Sequence, residues 1–138
     1  MPLVPNSVQP GYLFVSSGTG QNNGRWTPLT FDKEWAVMGP VVATSGATGY
    51  LPPWIASTVC QLLSISVQVR SGSLTLDFKQ NGTAIAGMTS LAVSTTVSSY
   101  SPTNTVMVSI GDLLGPVVDT ISSAPDGLLI NAVMWKYL

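Results

Sequence analysis

The side chains that most often carry out enzymatic chemistry are few in this sequence and widely spaced. There is no histidine, so the usual general base near neutral pH is missing, and with it the ordinary Ser-His-Asp and Cys-His mechanisms. Among the six acidic residues, only Asp32 and Glu34 lie close together. On a strand this spacing would place both carboxylates on one face, as in a glycosidase pair, but the intervening Lys33 favours a solvated hairpin or loop.

Patterns for a nucleophile, a metal site or a phosphate site are also weak. Cys60 lies in an apolar stretch and is interpreted as a small buried hydrophobe. No segment supplies enough carboxylates for calcium. The glycine-rich run GTGQNNG at residues 18–24 lacks the lysine and the helix of a phosphate-binding loop. We therefore predict a protein without catalysis, without a cofactor and without a bound metal.

Four aromatic residues in or beside loops form the one pattern that indicates ligand binding. They are Trp26, Tyr50, Trp54 and Tyr100, and their surroundings are rich in Gly, Ser and Pro. Such side chains stack on sugar rings while their polar tips stay in water, so a host-surface glycan is one candidate ligand. The alternative is that these aromatic residues close the ends of the fold or lie in contacts between subunits.

The low charge of the chain is its most unusual global property. Charged residues make up 8% of the 138 residues and hydrophobic residues 45%, whereas a soluble domain usually carries about 25% charged residues. The net charge of −1 offers no footprint for nucleic acid. No apolar run approaches the roughly 20 residues of a spanning helix. We interpret the composition as that of a subunit that buries much of its surface against other protein, without membrane insertion.

Alternating apolar and polar residues predict β-structure from about residue 26 onward. Residues 63–69 alternate, with Leu63 and Ile65 on the apolar side. Ser71-Gly72 is then predicted to turn the chain. Asn81-Gly82 predicts a two-residue type I′ hairpin, whose register places the apolar residues of both strands on one face.

Further strands complete the predicted fold class, which is all-β. Turn signals recur every 8–12 residues or so, a spacing that favours an antiparallel β-sandwich with jelly-roll connections, here over residues 25–138. The additional strands are Trp35–Ala43, Leu91–Val97, Thr105–Ile110, Leu114–Ile121 and Leu128–Tyr137.

The last of these strands is apolar on both faces. Such a strand is buried on both sides, so its second side would meet either a neighbouring subunit or the loops of its own chain. The residues assigned to a subunit interface are Leu128, Ile130, Met134, Trp135 and Tyr137.

Residues 1–24 differ from the rest in composition, with three prolines and the glycine-rich run. We predict an extended N-terminal arm with one short strand at Tyr12–Ser16. The arm would attach the protein to a larger partner through Leu3, Val4, Tyr12 and Phe14; the alternative is a mobile N-terminus. The first ten residues lack the basic start and apolar stretch of a signal peptide, which favours synthesis in the cytoplasm.

Three runs in the second half of the chain occur in a recognisable order. VQVRSGSLTLDFKQNGTAIAGMTSLAV spans Val67–Val93, SIGDLLGPVV spans Ser109–Val118, and GLLINAVMW spans Gly127–Trp135. A strand leads into an N-G-T hairpin, a G-D turn precedes an apolar strand, and a closing strand follows a P-x-G turn. In this respect the chain resembles the β-sandwich domains of bacteriophage fibre and decoration proteins.

The resemblance implies a virion structural protein, made in the host cytoplasm and released on lysis. Its sandwich domain would form a homotrimer, and the N-terminal arm would bind major capsid or tail proteins, as in a capsid-decoration protein or head fibre. The alternative is a tail-fibre or receptor-binding tip module that recognises a host-surface glycan.

Overall fold

The computed structural model describes residues 12–16, 24–42 and 51–137, with side chains from Leu29 onward. Two short strands come first: β1 (Tyr12–Ser16) and β2 (Gly24–Pro28) pair antiparallel in a separate two-stranded sheet. The strand predicted at Tyr12–Ser16 is therefore confirmed. In the described ranges, strands are the only regular secondary structure. These ranges contain no helix long and apolar enough to span a membrane.

Eight further strands form the body of the protein, and every pairing among them is antiparallel. Two of them are much longer than the rest. The strands are β3 (Thr30–Ala36), β4 (Trp54–Ile55), β5 (Cys60–Gln80), β6 (Thr83–Ala84), β7 (Leu91–Val93), β8 (Ser98–Tyr100), β9 (Val106–Val108) and β10 (Leu113–Lys136).

The long strands β5 and β10 form a ribbon that bends at its middle. Their register runs from Leu114 opposite Gln80 to Lys136 opposite Cys60, with an irregularity of several residues between Ser122 and Asp126. Backbone angles at this point are unusual, because Gly72 has a φ of +74° and faces a β10 segment with two further positive φ values. Ser71-Gly72 therefore bends the chain without reversing it, which corrects the predicted turn.

The bend divides the sheet into two layers, each four strands wide, because in each layer two short strands lie one after the other along the same half of β5. In the first layer, β3 pairs with the second half of β10, which pairs with the first half of β5, which pairs with β8 and β9. In the second layer, β4 pairs with the first half of β10, which pairs with the second half of β5, which pairs with β6 and β7. Two four-stranded layers with these connections are a jelly roll, so the predicted fold class is confirmed.

Apolar side chains from both layers meet in one core. Phe78, in the second half of β5, is fully buried and contacts Trp35 of β3 edge to face, with ring centroids 5.4 Å apart. The Trp35 indole Nε1 also donates a hydrogen bond to the Pro52 carbonyl at 3.0 Å. This tryptophan therefore joins the first layer both to the second layer and to the segment that leads into β4.

The β-hairpin predicted at Asn81-Gly82 is present in the predicted register. Gln80 lies opposite Thr83 and Lys79 opposite Ala84. Both turn residues have positive φ, as a type I′ turn requires.

The strand predicted at Trp35–Ala43 is different in the structure. The strand β3 ends at Ala36, and beyond it Pro40 forms an isolated bridge with Asp126. Proline lacks the N–H that a continuing ladder needs.

Candidate functional site

The residues whose side chains are most reactive have structural roles in this fold. Cys60 is fully buried, with its Sγ 3.8 Å from the Met134 sulfur. Burial, and secondarily the negative charge of Asp112, raise the pKa of this thiol to about 11. The thiol is therefore protonated at neutral pH and is a poor nucleophile.

Asp32 and Glu34 lie on the exposed side of β3, opposite Val133 and Asn131 of β10. The Asn131 amide is 3.5 Å from a carboxylate oxygen of Asp32. Both carboxylates are solvated on an open surface of the sheet. Among the described residues, no group of three or more Cys, Asp or Glu side chains could hold a metal ion.

Asp112 links its own turn to the Asn81-Gly82 hairpin through side-chain hydrogen bonds. Its carboxylate accepts hydrogen bonds from the Ser109 backbone N–H at 2.9 Å, from Gln80 at 3.0 Å and from Asn81 at 3.1 Å. The Leu113 N–H returns a hydrogen bond to the Asn81 side chain at 2.9 Å. These bonds lower the pKa of Asp112, with the Ser109 bond as the largest cause.

The lowered pKa of Asp112 predicts a loss of stability in acid. A carboxyl with a folded-state pKa below its unfolded value contributes stability above the unfolded pKa and loses it as the pH falls through the folded one. The pKa of this carboxyl in the unfolded chain is near 3.8, so the loss of stability begins near that pH and continues below it. We expect Asp112→Asn to lower the melting temperature at neutral pH, and the difference from wild type to shrink in acid. A constant difference across thermal melts at several pH values would contradict this role.

The residues predicted at a subunit interface divide between two faces of β10. Leu128, Ile130 and Met134 are at most 1% exposed and point into the core of their own chain, so they are not available to a second subunit. Trp135 and Tyr137 are half-buried. A contact between subunits at this strand would therefore use its opposite face, whose members are Leu129, Asn131, Val133 and Trp135.

That opposite face belongs to the outer surface of the first layer. Leu129 is 42% exposed and Met107, on β9, 41%; Leu63 and Val133 are half-buried. The positions between them on β5 and β8 are serine and glutamine, and Ser66 shares a hydrogen bond with Ser99 at 3.1 Å. The charged side chains that the register places on this surface, among the described residues, are Asp32 and Glu34 at one edge and Arg70, which pairs with Asp126, next to the bend. We call this surface the outer face.

The four candidate ligand-binding aromatics do not form one described cluster. Trp26 lies in β2, where side chains are outside the described part, and Tyr50 falls outside the described residues. Trp54 is at the β4 edge of the second layer, whereas Tyr100 is on β8 at the opposite edge of the first layer. The Tyr100 hydroxyl donates to the Ala92 carbonyl at 2.6 Å, so its polar tip already has a partner in the fold.

Residues of the predicted arm lie largely beyond the described ranges. Leu3 and Val4 are outside them, and Tyr12 and Phe14 belong to β1, for which the structure gives the backbone. In the β1–β2 pair, Phe14 lies opposite Trp26. The attachment role of these residues stays a prediction.

Trp54 lines a groove that sequence reasoning did not assemble. The groove has a volume of about 370 Å³ and lies at the side of the sandwich where β3 and β4, one from each layer, form the edges. Two lysines far apart in sequence also contribute to it. The lining residues are Leu29, Thr30, Phe31, Lys33, Trp54, Ser57, Thr58 and Lys136.

Comparison of the sequence with protein-family models and with curated proteins finds no match. The resemblance to bacteriophage fibre and decoration domains therefore depends on the three sequence runs alone. The geometry described above offers surfaces for binding, on the outer face and in the groove beside Trp54.

Proposed function

We propose that this protein is a non-enzymatic structural subunit of a bacteriophage virion, of the capsid-decoration or head-fibre type, that assembles as a homotrimer. The number of copies and the virion setting come from the sequence resemblance. The outer face is the observation that carries the proposal of assembly. Its centre is apolar or uncharged, and charged residues are depleted in the same way at the centres of protein interfaces.

The low charge of the whole chain supports the same proposal. A domain that stays monomeric usually covers its surface with charge, which opposes association. Here the exposed apolar side chains Leu129 and Met107 lie on one sheet surface, and burying them in a trimer would remove them from water. The N-terminal arm would then attach the assembled trimer to capsid or tail proteins. If deletion of residues 1–10 leaves attachment to particles unchanged, this part of the proposal fails.

A pair of charge substitutions tests whether the outer face mediates assembly. Leu129→Asp adds a carboxylate to the proposed interface, where a further buried charge is strongly unfavourable because the nearby Arg70 is already paired with Asp126. We expect it to convert trimer to monomer while the circular dichroism spectrum stays that of a β-protein. Ile55→Asp is the matched control, because Ile55 is 64% exposed on the second layer, and we expect it to leave the trimer intact. Dissociation by both variants, or by neither, would argue against the outer face.

A second candidate function is a receptor-binding tip that recognises a host-surface glycan. The observation that favours it is the position of Trp54, half-buried in the wall of an open groove. Jelly rolls occur both in viral capsid proteins and in lectins, so the fold suits either candidate. The two candidates are also compatible in one molecule, because the groove and the outer face use different residues.

A further inference from the structure

The groove beside Trp54 combines an aromatic ring with two cations. Lys33 places its Nζ 5.2 Å from the centroid of the Trp54 ring, and Lys136 also lines the groove. These are two of the five cations in the whole chain. Among the described residues that line the groove, none is acidic. Within the described part of the chain, neither lysine forms an ion pair.

The register of the strands explains how these side chains meet. Phe31 and Lys33 alternate with exposed residues on β3 and point to the same side as the buried Trp35. Phe31 lies opposite Met134 on β10, and Lys136 follows two residues later on the same side of that strand. Trp54 enters from the other layer, where it lies opposite Leu114. The groove is thus lined by both layers at their open edge.

The ring of Trp54 is held in place by a second aromatic residue. Phe31 contacts it edge to face, with ring centroids 5.8 Å apart and an angle of 67° between the ring planes. A fixed, partly exposed indole is a suitable platform for the apolar face of a sugar ring. Ser57 and Thr58 also line the groove and carry hydroxyl groups that both donate and accept hydrogen bonds, as sugar hydroxyls require.

We propose that this groove binds a saccharide that carries an acidic group. The sugar ring stacks on Trp54, and the carboxylate or phosphate pairs with Lys33 and Lys136. This inference rests on the second candidate function and adds to it the charge of the ligand and the residues that select it. A lysine that points inward from an edge strand also protects that edge against pairing with another chain. That role accounts for Lys33, and packing against the core accounts for the buried part of Trp54, but neither accounts for Lys136.

Three sugars that differ at one carbon provide the test: glucose, glucuronate and glucose 6-phosphate. We expect glucuronate and glucose 6-phosphate to shift the Trp54 indole resonance in NMR titrations of the full chain, and glucose to bind more weakly, by about fivefold or more. Added salt should weaken binding of the two acidic sugars and leave glucose unaffected. The two acidic sugars distinguish a preference for carboxylate from one for phosphate.

Single substitutions assign the preference to the groove. We expect Lys33→Met and Lys136→Met each to reduce affinity for the acidic sugars by about fivefold while binding of glucose is retained. Trp54→Ala should abolish binding of all three sugars. Lys79→Met is the matched control, because Lys79 lies on β5 away from the groove, and its affinities should equal those of wild type. Circular dichroism checks that each variant is folded.

The outcomes separate the inference from the function on which it rests. Equal affinity for glucose and the acidic sugars would overturn the inference and leave the receptor-binding candidate in place. The inference would also fail if Lys79→Met reduced affinity as much as Lys33→Met. Absence of binding by all three sugars at high millimolar concentration would overturn both. None of these results bears on trimer formation, which is measured independently.

Discussion

Replacing Ile130 with alanine is expected to lower the free energy of unfolding by about 2–5 kcal/mol, the range for truncating a buried aliphatic residue to alanine. Ile130 is fully buried and lies between two core residues, Trp35 on β3 and Val67 on β5. The substitution would leave a cavity between the central strands of the first layer. Since a domain of this kind has about 5–15 kcal/mol of stability in total, the loss should be evident in urea unfolding as a lower midpoint with an unchanged slope.

The neighbouring residue provides a control for this prediction. Leu129 is 42% exposed on the outer face, and Leu129→Ala should change the stability of the folded chain by less than about 1 kcal/mol. Its effect should appear in association instead. If Ile130→Ala dissociated the assembly without loss of folding stability, the assignment of the two faces of β10 would be wrong.

Replacing Gly72 with alanine is expected to destabilise the fold by about 2–6 kcal/mol, because it adds backbone strain to a steric clash. Gly72 has a φ of +74°, and a Cβ there would lie 2.6 Å from the Ser123 carbonyl oxygen and 2.7 Å from the Pro125 Cα. Both neighbours are backbone atoms, so the clash cannot be relieved by a change of side-chain rotamer. To relieve the clash, β5 and β10 would have to move apart at the bend, where the ribbon passes from one layer to the other.

Gly82 is the matched control for Gly72. Its φ is +81°, but nothing lies within 4 Å of a Cβ built on it. Gly82→Ala should therefore show the conformational cost alone, about 1–3 kcal/mol. Equal effects of the two substitutions in thermal or urea unfolding would contradict the close approach of β5 and β10 at the bend.

Local turn chemistry made part of the fold predictable. Asn81-Gly82 specifies a type I′ turn because both residues tolerate positive φ, and the alternation on either side then fixes the register. The prediction needed no knowledge of the distant parts of the chain. For the same reason the short strand at Tyr12–Ser16 and the all-β class could be predicted from residue types and spacing.

Features that depend on distant strands could not be predicted in this way. Residues 63–69 alternate cleanly in sequence, yet Leu62 is buried and Leu63 is not. The cause is an irregularity in the pairing with β10, where Val133 lies opposite Ser64 and Met134 opposite Leu62. An extra residue in one strand moves the following side chains to the other face. Likewise, Ser71-Gly72 has the composition of a turn, and only the partner strand makes it a bend.

The candidate groove was predicted in part. Residue type and a loop context identified Trp54 as a candidate binding residue, because an exposed tryptophan beside prolines is a common recognition element. Lys33 and Lys136 carried no comparable signal, since they are 103 residues apart and reach the same groove only because β3 pairs with β10. The interface prediction failed to separate the faces of the last strand for a related reason. Both faces are apolar, and the sequence does not show which one the second layer covers.

The most direct test of the proposed assembly is the solution mass of the full chain, measured by light scattering after gel filtration over a range of concentrations. One chain has a mass of 14.4 kDa. We expect a mass three times that value that persists on dilution, because a structural subunit whose outer face has an uncharged centre should be a stable trimer. A mass of one chain at every concentration would contradict the proposal.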